Sequence, residues 1–143
     1  MIIQKTKKNW LYVAMGIFQV FIAVGALPAG WLYISDPSGA SMGNTTAALA
    51  NSPLSDYLIP GLCLFFIHGT GNLASSVFSF MKKKISPYLG VFFGSAQIIW
   101  IAAQVSWIGL ISFLQPLLFV IGSMELILGI VIYLHQRKMK ALA

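Results

Sequence analysis

The sequence predicts an all-α membrane protein: an antiparallel bundle of four transmembrane helices with both termini in the cytoplasm. The 143-residue chain is 58% hydrophobic and only 8% charged, whereas soluble domains carry roughly 25% charged residues. Its basic residues fall into three groups beside apolar stretches, which is the positive-inside pattern. These groups are Lys5, Lys7 and Lys8; Lys82, Lys83 and Lys84; and Arg137, Lys138 and Lys140. We therefore expect one transmembrane domain, residues 1–143, in a multi-pass protein of the cell membrane.

The first predicted helix covers residues 10–32. Aromatic residues that favour the membrane interface mark both of its ends, with Trp10 and Tyr12 at one and Trp31 and Tyr33 at the other. Its apolar run is longer than the hydrophobic region of a signal peptide. The segment is therefore predicted to remain as a transmembrane helix.

Residues 33–56 form the predicted outer loop, which is rich in Gly, Pro, Ser and Asn and contains no Lys or Arg. Asp36 opens an Asp-Pro-Ser-Gly sequence that is typical of a tight turn. Asp56 precedes the next helix, where its carboxylate can cap exposed N–H groups. As an alternative, the two carboxylates form an outer mouth that attracts a cation.

Three further helices are predicted over residues 57–80, 88–107 and 114–134. The lysine group before the third helix marks an inner loop, residues 108–113 make a second outer turn, and the basic tail follows the fourth helix. Pro60 and Pro116 fall near helix starts, where proline is tolerated best.

Each predicted helix carries its small and polar residues along one face, at spacings of three, four or seven residues. Membrane helices associate through close packing of small residues and through hydrogen bonds between helices. We therefore expect these faces to meet inside the bundle. The faces are Gly16, Gln19, Ala23, Ala26 and Gly30; Gly61, His68, Asn72, Ser75 and Ser79; Gly90, Gly94, Gln97 and Gln104; and Gln115, Gly122, Glu125 and Gly129.

Four of these polar residues fall at a similar depth, which predicts a polar layer. Gln19, Asn72, Gln97 and Glu125 each lie eight or nine residues from the basic end of their predicted helix, roughly 13 Å at 1.5 Å per residue. His68 lies one turn further outward.

Glu125 is the only acidic residue within the apolar stretches, and a membrane-buried ionisable group invites a functional hypothesis. With His68 it would form a proton-carrying pair, or the layer would bind a small polar or amphipathic ligand. The alternative is structural: the layer supplies hydrogen bonds that fix how the helices pack.

The sequence offers little support for catalysis or metal binding. Its three acidic residues and two histidines are scattered, without metal-site spacing or a glycine-rich phosphate loop. The single cysteine, Cys63, cannot form a disulfide within the chain. We expect no metal, no cofactor and no nucleic-acid partner, and we regard an enzyme as less expected than a binding protein or a transporter.

The outer loop carries a more specific pattern: Asp36-Pro37-Ser38-Gly39, followed by Ser52-Pro53, Asp56-Tyr57-Leu58 and Pro60-Gly61-Leu62. In this pattern, written DPSG…SPxxDYLxPGL, the chain resembles an uncharacterised family of small bacterial four-helix integral membrane proteins. The resemblance implies a bacterial cell-membrane protein in which the loop is a distinctive feature, and it implies no particular reaction.

Two functions remain open at this point. The first is a non-enzymatic bundle that binds a lipid or a partner, with the bilayer around it and a second copy or another membrane protein beside it. The second is a proton-coupled small-molecule transporter in which Glu125 exchanges protons with the substrate.

Overall fold

The computed structural model describes residues 2–142, and side chains from residue 9 onward. This part of the chain contains no strand, and four of its helices are long and apolar enough to cross a membrane. The all-α prediction is therefore confirmed, together with the number of long apolar helices. We label the helices α1 (Ile2–Ser35), α2 (Leu58–Phe80), α3 (Ser86–Ile108) and α4 (Leu114–Ala141).

The first and last helices are longer in the structure than their apolar stretches. α1 includes the basic segment before Trp10, and α4 continues through the basic tail to Ala141. Hydropathy detects only the part of a helix that suits lipid, whereas Lys, Arg and Gln continue a helix with little cost. We call the end of the bundle with the Lys and Arg residues the basic end, and the opposite end, next to the loop between α1 and α2, the loop end.

Adjacent helices run antiparallel and approach closely at glycines. A Cβ atom on Gly30 of α1 would lie 2.5 Å from the backbone nitrogen of Phe65 in α2, and one on Gly94 of α3 would lie 2.6 Å from that of Leu126 in α4. No side chain fits such gaps. The small residues of the predicted faces therefore do bring helix backbones together.

The middle of α2 is not an α-helix. Residues Cys63–Gly71 form a π-helix between two α-helical segments, a departure that the sequence analysis did not anticipate. The Thr70 hydroxyl donates a hydrogen bond to the Phe65 carbonyl, 3.0 Å away, which adds a side-chain link across the wider turn. Because π-helical turns often occur at functional sites, the position of His68 within this segment is notable.

An apolar cluster fills the bundle near the basic end. Tyr12 and Met15 from α1 pack with Leu128 and Ile132 from α4, and all four side chains are buried. The Gln136 side chain donates a hydrogen bond to the Tyr12 hydroxyl at 2.8 Å. This cluster separates the polar interior of the bundle from the basic end.

The loop between α1 and α2 folds back onto the bundle. The Tyr33 and Tyr57 rings stack with centroids 4.8 Å apart, and Asn44 donates to the Tyr33 hydroxyl at 2.6 Å. Gly39 has a positive φ of 82°, and a Cβ there would lie 2.7 Å from the Tyr57 ring, so both backbone and space require glycine. The loop is thus fixed to the ends of both helices.

Candidate functional site

A hydrogen-bonded cluster joins α1, α2 and α4 inside the bundle. The Gln19 amide nitrogen donates to Ser75 Oγ at 2.8 Å and to Glu125 Oε1 at 3.0 Å. The Ser79 hydroxyl donates to Gln19 Oε1 at 2.8 Å. All four side chains are at most 1% exposed. We call Gln19, Ser75, Ser79 and Glu125 the polar cluster.

The other predicted site residues are equally buried but differ in their hydrogen bonding. Asn72 is 0% exposed, and His68 and Gln97 are each 2% exposed. Among the residues that the structure describes, the buried polar atoms without a hydrogen-bond partner are His68 Nδ1, both amide atoms of Asn72, Gln97 Oε1 and Glu125 Oε2. The predicted layer therefore divides into Gln19 and Glu125, which hydrogen-bond to each other although Glu125 Oε2 has no partner, and His68, Asn72 and Gln97, which lie outside this cluster.

His68 and Gln97 line a cavity of about 320 Å³ in the loop-end half of the bundle. All four helices contribute to its wall, which is mostly apolar. The Trp100 ring packs near His68, with ring centroids 5.5 Å apart. Gln104 supplies the remaining polar side chain of the wall. We call this space the loop-end cavity.

The loop-end cavity opens sideways between α1 and α4. Phe21, Val24 and Leu114 line it and are 51%, 66% and 56% exposed. Gly25 lies on the same wall, and a Cβ added there would meet no atom within 4 Å. A ligand can therefore enter from beside the bundle without passing the polar cluster.

A smaller cavity of about 60 Å³ lies under the folded loop, enough space for one or two waters. Tyr57 and Leu49 from the loop line it, and it shares Leu64, Trp100 and Gln104 with the loop-end cavity. The folded loop thus covers the end of the bundle at which the larger cavity lies.

The two loop carboxylates organise backbone at opposite ends of the loop. Asp36 accepts hydrogen bonds from the Ser38 hydroxyl at 2.6 Å and from the Ser41 backbone N–H at 2.8 Å. These two contacts, the Ser38 hydroxyl first, lower the pKa of Asp36 below its usual 3.8. Asp56 accepts from the Leu58 backbone N–H at 2.9 Å, at the start of α2. Their contacts are those of turn and cap residues.

The structure thus brings together Gln19 and Glu125, as the shared depth suggested, and places His68 with Gln97 at a different location. Ser75 and Ser79 complete the cluster, although the sequence analysis had placed them only on the polar face of α2. Trp100 was not anticipated, since nothing in the sequence distinguishes it from a lipid-facing aromatic residue. Within the described residues, no group of three or more His, Cys, Asp or Glu side chains is placed to hold a metal ion.

Comparison of the chain with protein-family models, with curated proteins and with solved structures found no match in any of the three. The functional interpretation is therefore drawn from the geometry of the described residues.

Proposed function

We propose that the chain is a multi-pass protein of a bacterial cell membrane, with both termini in the cytoplasm, that binds a small amphipathic molecule in the loop-end cavity. The outward-facing surface supports insertion in a membrane: Val24, Phe92 and Ile99 are 60% to 67% exposed, and such extensive apolar surface marks contact with lipid or a partner. The basic groups favour the cytoplasmic orientation, and the loop resemblance favours a bacterial membrane.

The observation that carries the binding proposal is the pair of unpartnered atoms in the cavity wall, His68 Nδ1 and Gln97 Oε1. Leaving a buried polar atom without a hydrogen bond costs about 1–3 kcal/mol. A ligand head group that bonds to both atoms would offset that cost. At about 320 Å³, the cavity is within the range of small-molecule sites, about 300–1,000 Å³.

The residues that line the loop-end cavity indicate which kind of molecule it binds. The lining residues include no Lys, Arg, Asp or Glu, which favours a neutral head group over an ion. A hydroxyl or amide can both donate and accept, as His68 and Gln97 require. The sideways opening at Gly25 favours a molecule that reaches the protein through the lipid. We therefore propose a neutral amphiphile with a hydroxyl or amide head and a short apolar tail.

Fluorescence quenching of Trp100 tests this function. A protein in which Trp10, Trp31 and Trp107 are replaced by Phe reports on Trp100 alone, and a brominated medium-chain alcohol is the probe. We expect saturable quenching that Gly25→Leu abolishes, because Gly25 lines the cavity and a Cβ there meets no atom within 4 Å, so that the larger side chain can occupy the cavity. Ala102→Leu, at an exposed position of α3, is the matched control. Quenching that does not saturate, or that Gly25→Leu leaves unchanged, would refute the proposal.

A different observation favours proton-coupled transport as a second candidate. Glu125 is fully buried, its Oε2 has no partner, and the sequence places no Lys or Arg between Lys8 and Lys82 or between Lys84 and Arg137. A carboxylate inside a membrane-spanning helix is a recurrent proton carrier in transporters. If that proton is coupled to ligand binding, probe affinity must change with pH.

The isosteric variant Glu125→Gln separates the two candidates, because its side chain can still accept the Gln19 hydrogen bond but cannot ionise. Coupling predicts probe affinity that varies with pH in the wild type and is constant in the variant. Affinity that is independent of pH in both proteins would remove the transporter candidate and leave simple binding.

A further inference from the structure

A second apolar depression lies on the outside of the bundle, at the basic end. This groove of about 360 Å³ follows the line along which α3 and α4 meet. The Tyr88 and Tyr133 rings contact edge to face in its wall, with centroids 5.3 Å apart, and Tyr88 and Leu134 are each 55% exposed. The lining residues are Pro87, Tyr88, Val91, Ile130, Tyr133 and Leu134. We call this depression the basic-end groove.

The groove exists because two helix backbones approach closely beneath it. A Cβ on Gly129 would lie 2.7 Å from the Val91 backbone nitrogen. The larger side chains on either side of this contact form the walls of the groove. The result is an apolar groove along the line where the two helices meet, lined by side chains that suit a hydrocarbon chain.

Basic residues continue both walls of the groove. Arg137 is four residues after Tyr133 and therefore lies on the same helix face, while Lys84 comes three residues before Pro87, just ahead of α3. Both residues are exposed. By their positions in the chain, Lys84 and Arg137 thus bring two positive charges to the basic end of the two helices that form the groove.

No acidic residue of the chain can neutralise these charges. The sequence contains three acidic residues: Asp36 and Asp56 belong to the loop at the opposite end, and Glu125 is fully buried in the polar cluster. An anion that neutralises Lys84 and Arg137 must therefore come from outside the chain.

We propose that the basic-end groove holds one anionic phospholipid, with its phosphate between Lys84 and Arg137 and an acyl chain against Val91 and Ile130. Arginine binds phosphate oxygens in bidentate fashion, and tyrosine suits the level of the lipid head groups. A second copy of the chain fits this surface less well, since it would bring a second set of basic residues to the same place. The inference requires the helices to lie in a bilayer, but it is independent of the loop-end cavity.

Native mass spectrometry tests the proposal on protein released from nanodiscs that contain equal amounts of phosphatidylglycerol and phosphatidylcholine. We expect one phosphatidylglycerol retained per chain. Each basic residue that contacts the phosphate of the bound lipid contributes on the order of fivefold in affinity, so Lys84→Gln with Arg137→Gln should reduce retention roughly twenty-five-fold. Lys82→Gln, after the end of α2 and away from the groove lining, is the control and should have a small effect.

A second variant keeps the charges and blocks the groove. Ile130→Trp places a large side chain in the groove. Ile130 is 42% exposed, so folding should tolerate the substitution. Val120→Trp, at a position of α4 that is 57% exposed, is its control. We expect only Ile130→Trp to displace the lipid. Equal retention of the two lipids, retention that survives both groove variants, or a dimer that covers the groove in place of lipid would overturn the proposal.

Discussion

The polar cluster and the loop-end cavity are built from the same kinds of residue but differ in how those residues are satisfied. In the cluster, Gln19 makes three side-chain hydrogen bonds, to Ser75, Ser79 and Glu125, and the atom that remains without a partner is Glu125 Oε2. In the cavity wall, equally buried His68 and Gln97 each retain a polar atom without a partner, beside about 320 Å³ of space. Burial alone therefore does not distinguish a structural polar residue from a functional one.

The two regions differ in whether their buried polar residues bond to neighbouring helices or line a cavity. Hydrogen bonds between helices stabilise a particular packing, and the cluster makes such bonds across three helices. The unpartnered atoms of His68 and Gln97 gain a hydrogen bond only when a molecule enters the cavity that these residues line. We therefore expect substitutions in the cluster to change stability, and substitutions in the cavity to change binding.

The largest expected change in the free energy of unfolding is for one of two glycines in α1, and the other glycine is its comparison. Gly30→Leu should destabilise the protein by about 3 kcal/mol, the upper range for overpacking, because its Cβ would lie 2.5 Å from the Phe65 backbone. Gly25→Leu should leave stability nearly unchanged, since nothing lies within 4 Å of its Cβ. Unfolding in mixed detergent micelles measures both. Equal losses for the two variants would show that Gly25 does not border open space.

The next largest change in the free energy of unfolding is expected for a glutamine of the polar cluster, with a glutamine of the cavity wall as its comparison. Gln19→Leu removes three hydrogen bonds and should cost roughly 2 kcal/mol, at about 0.6 kcal/mol for each bond between membrane helices. Gln104→Leu, in the cavity wall, should have little effect on unfolding. If Gln104→Leu lowered the free energy of unfolding more than Gln19→Leu, the polar cluster would not be the region that stabilises the bundle.

For His68→Phe we expect a smaller change in the free energy of unfolding, and in the stabilising direction. The aromatic ring keeps much of the volume and the packing near Trp100, while the unpartnered Nδ1 is removed. Replacing an unsatisfied buried polar group by an apolar one can be neutral or stabilising, here by up to about 1 kcal/mol. Stability should therefore hold while binding of the brominated alcohol is lost. A variant that unfolds more easily but still binds the probe would contradict the assignment.

The smallest effect concerns Asp36 in the exposed turn. Its pKa is lowered by the Ser38 hydroxyl and the Ser41 N–H, so the ionised form stabilises the turn. That contribution is present above the ordinary pKa of 3.8 and is lost as the pH falls through the lowered value. The protection factor of the Ser41 amide, which is the intrinsic exchange rate at each pH divided by the observed rate, should therefore fall in acid in the wild type. Asp36→Asn should lack this pH dependence, and the same fall in protection in that variant would exclude Asp36 as its cause.

Much of the fold could be predicted from the sequence, because apolar stretches of sufficient length and glycine-rich faces carry strong signals. Depth placed Gln19 and Glu125 in one layer with Asn72 and Gln97, and in the structure Gln19 and Glu125 are hydrogen-bonded. Depth did not predict that Asn72 and Gln97 would lie outside the cluster, since counting residues along a helix does not give the rotation of that helix about its axis.

The cavity could not be predicted in the same way. Its wall combines residues from all four helices, including Phe21, Trp100 and Leu118, with His68 in the π-helical segment of α2. A π-helix is rare, and a cavity among four helices depends on their mutual rotation, which residue spacing within one helix does not give. Ser75 and Ser79 carried a weak signal through their position on the polar face of α2, but serine is too common in membrane helices to identify a cluster.

The most direct test of the distinction between cluster and cavity is to locate the probe in a crystal of the protein grown with the brominated alcohol. We predict an anomalous bromine signal inside the loop-end cavity, with the alcohol oxygen within hydrogen-bonding distance of His68 or Gln97, and no probe at the polar cluster. Bromine beside Glu125 and Gln19, or only on the outer surface of the bundle, would contradict the proposed function.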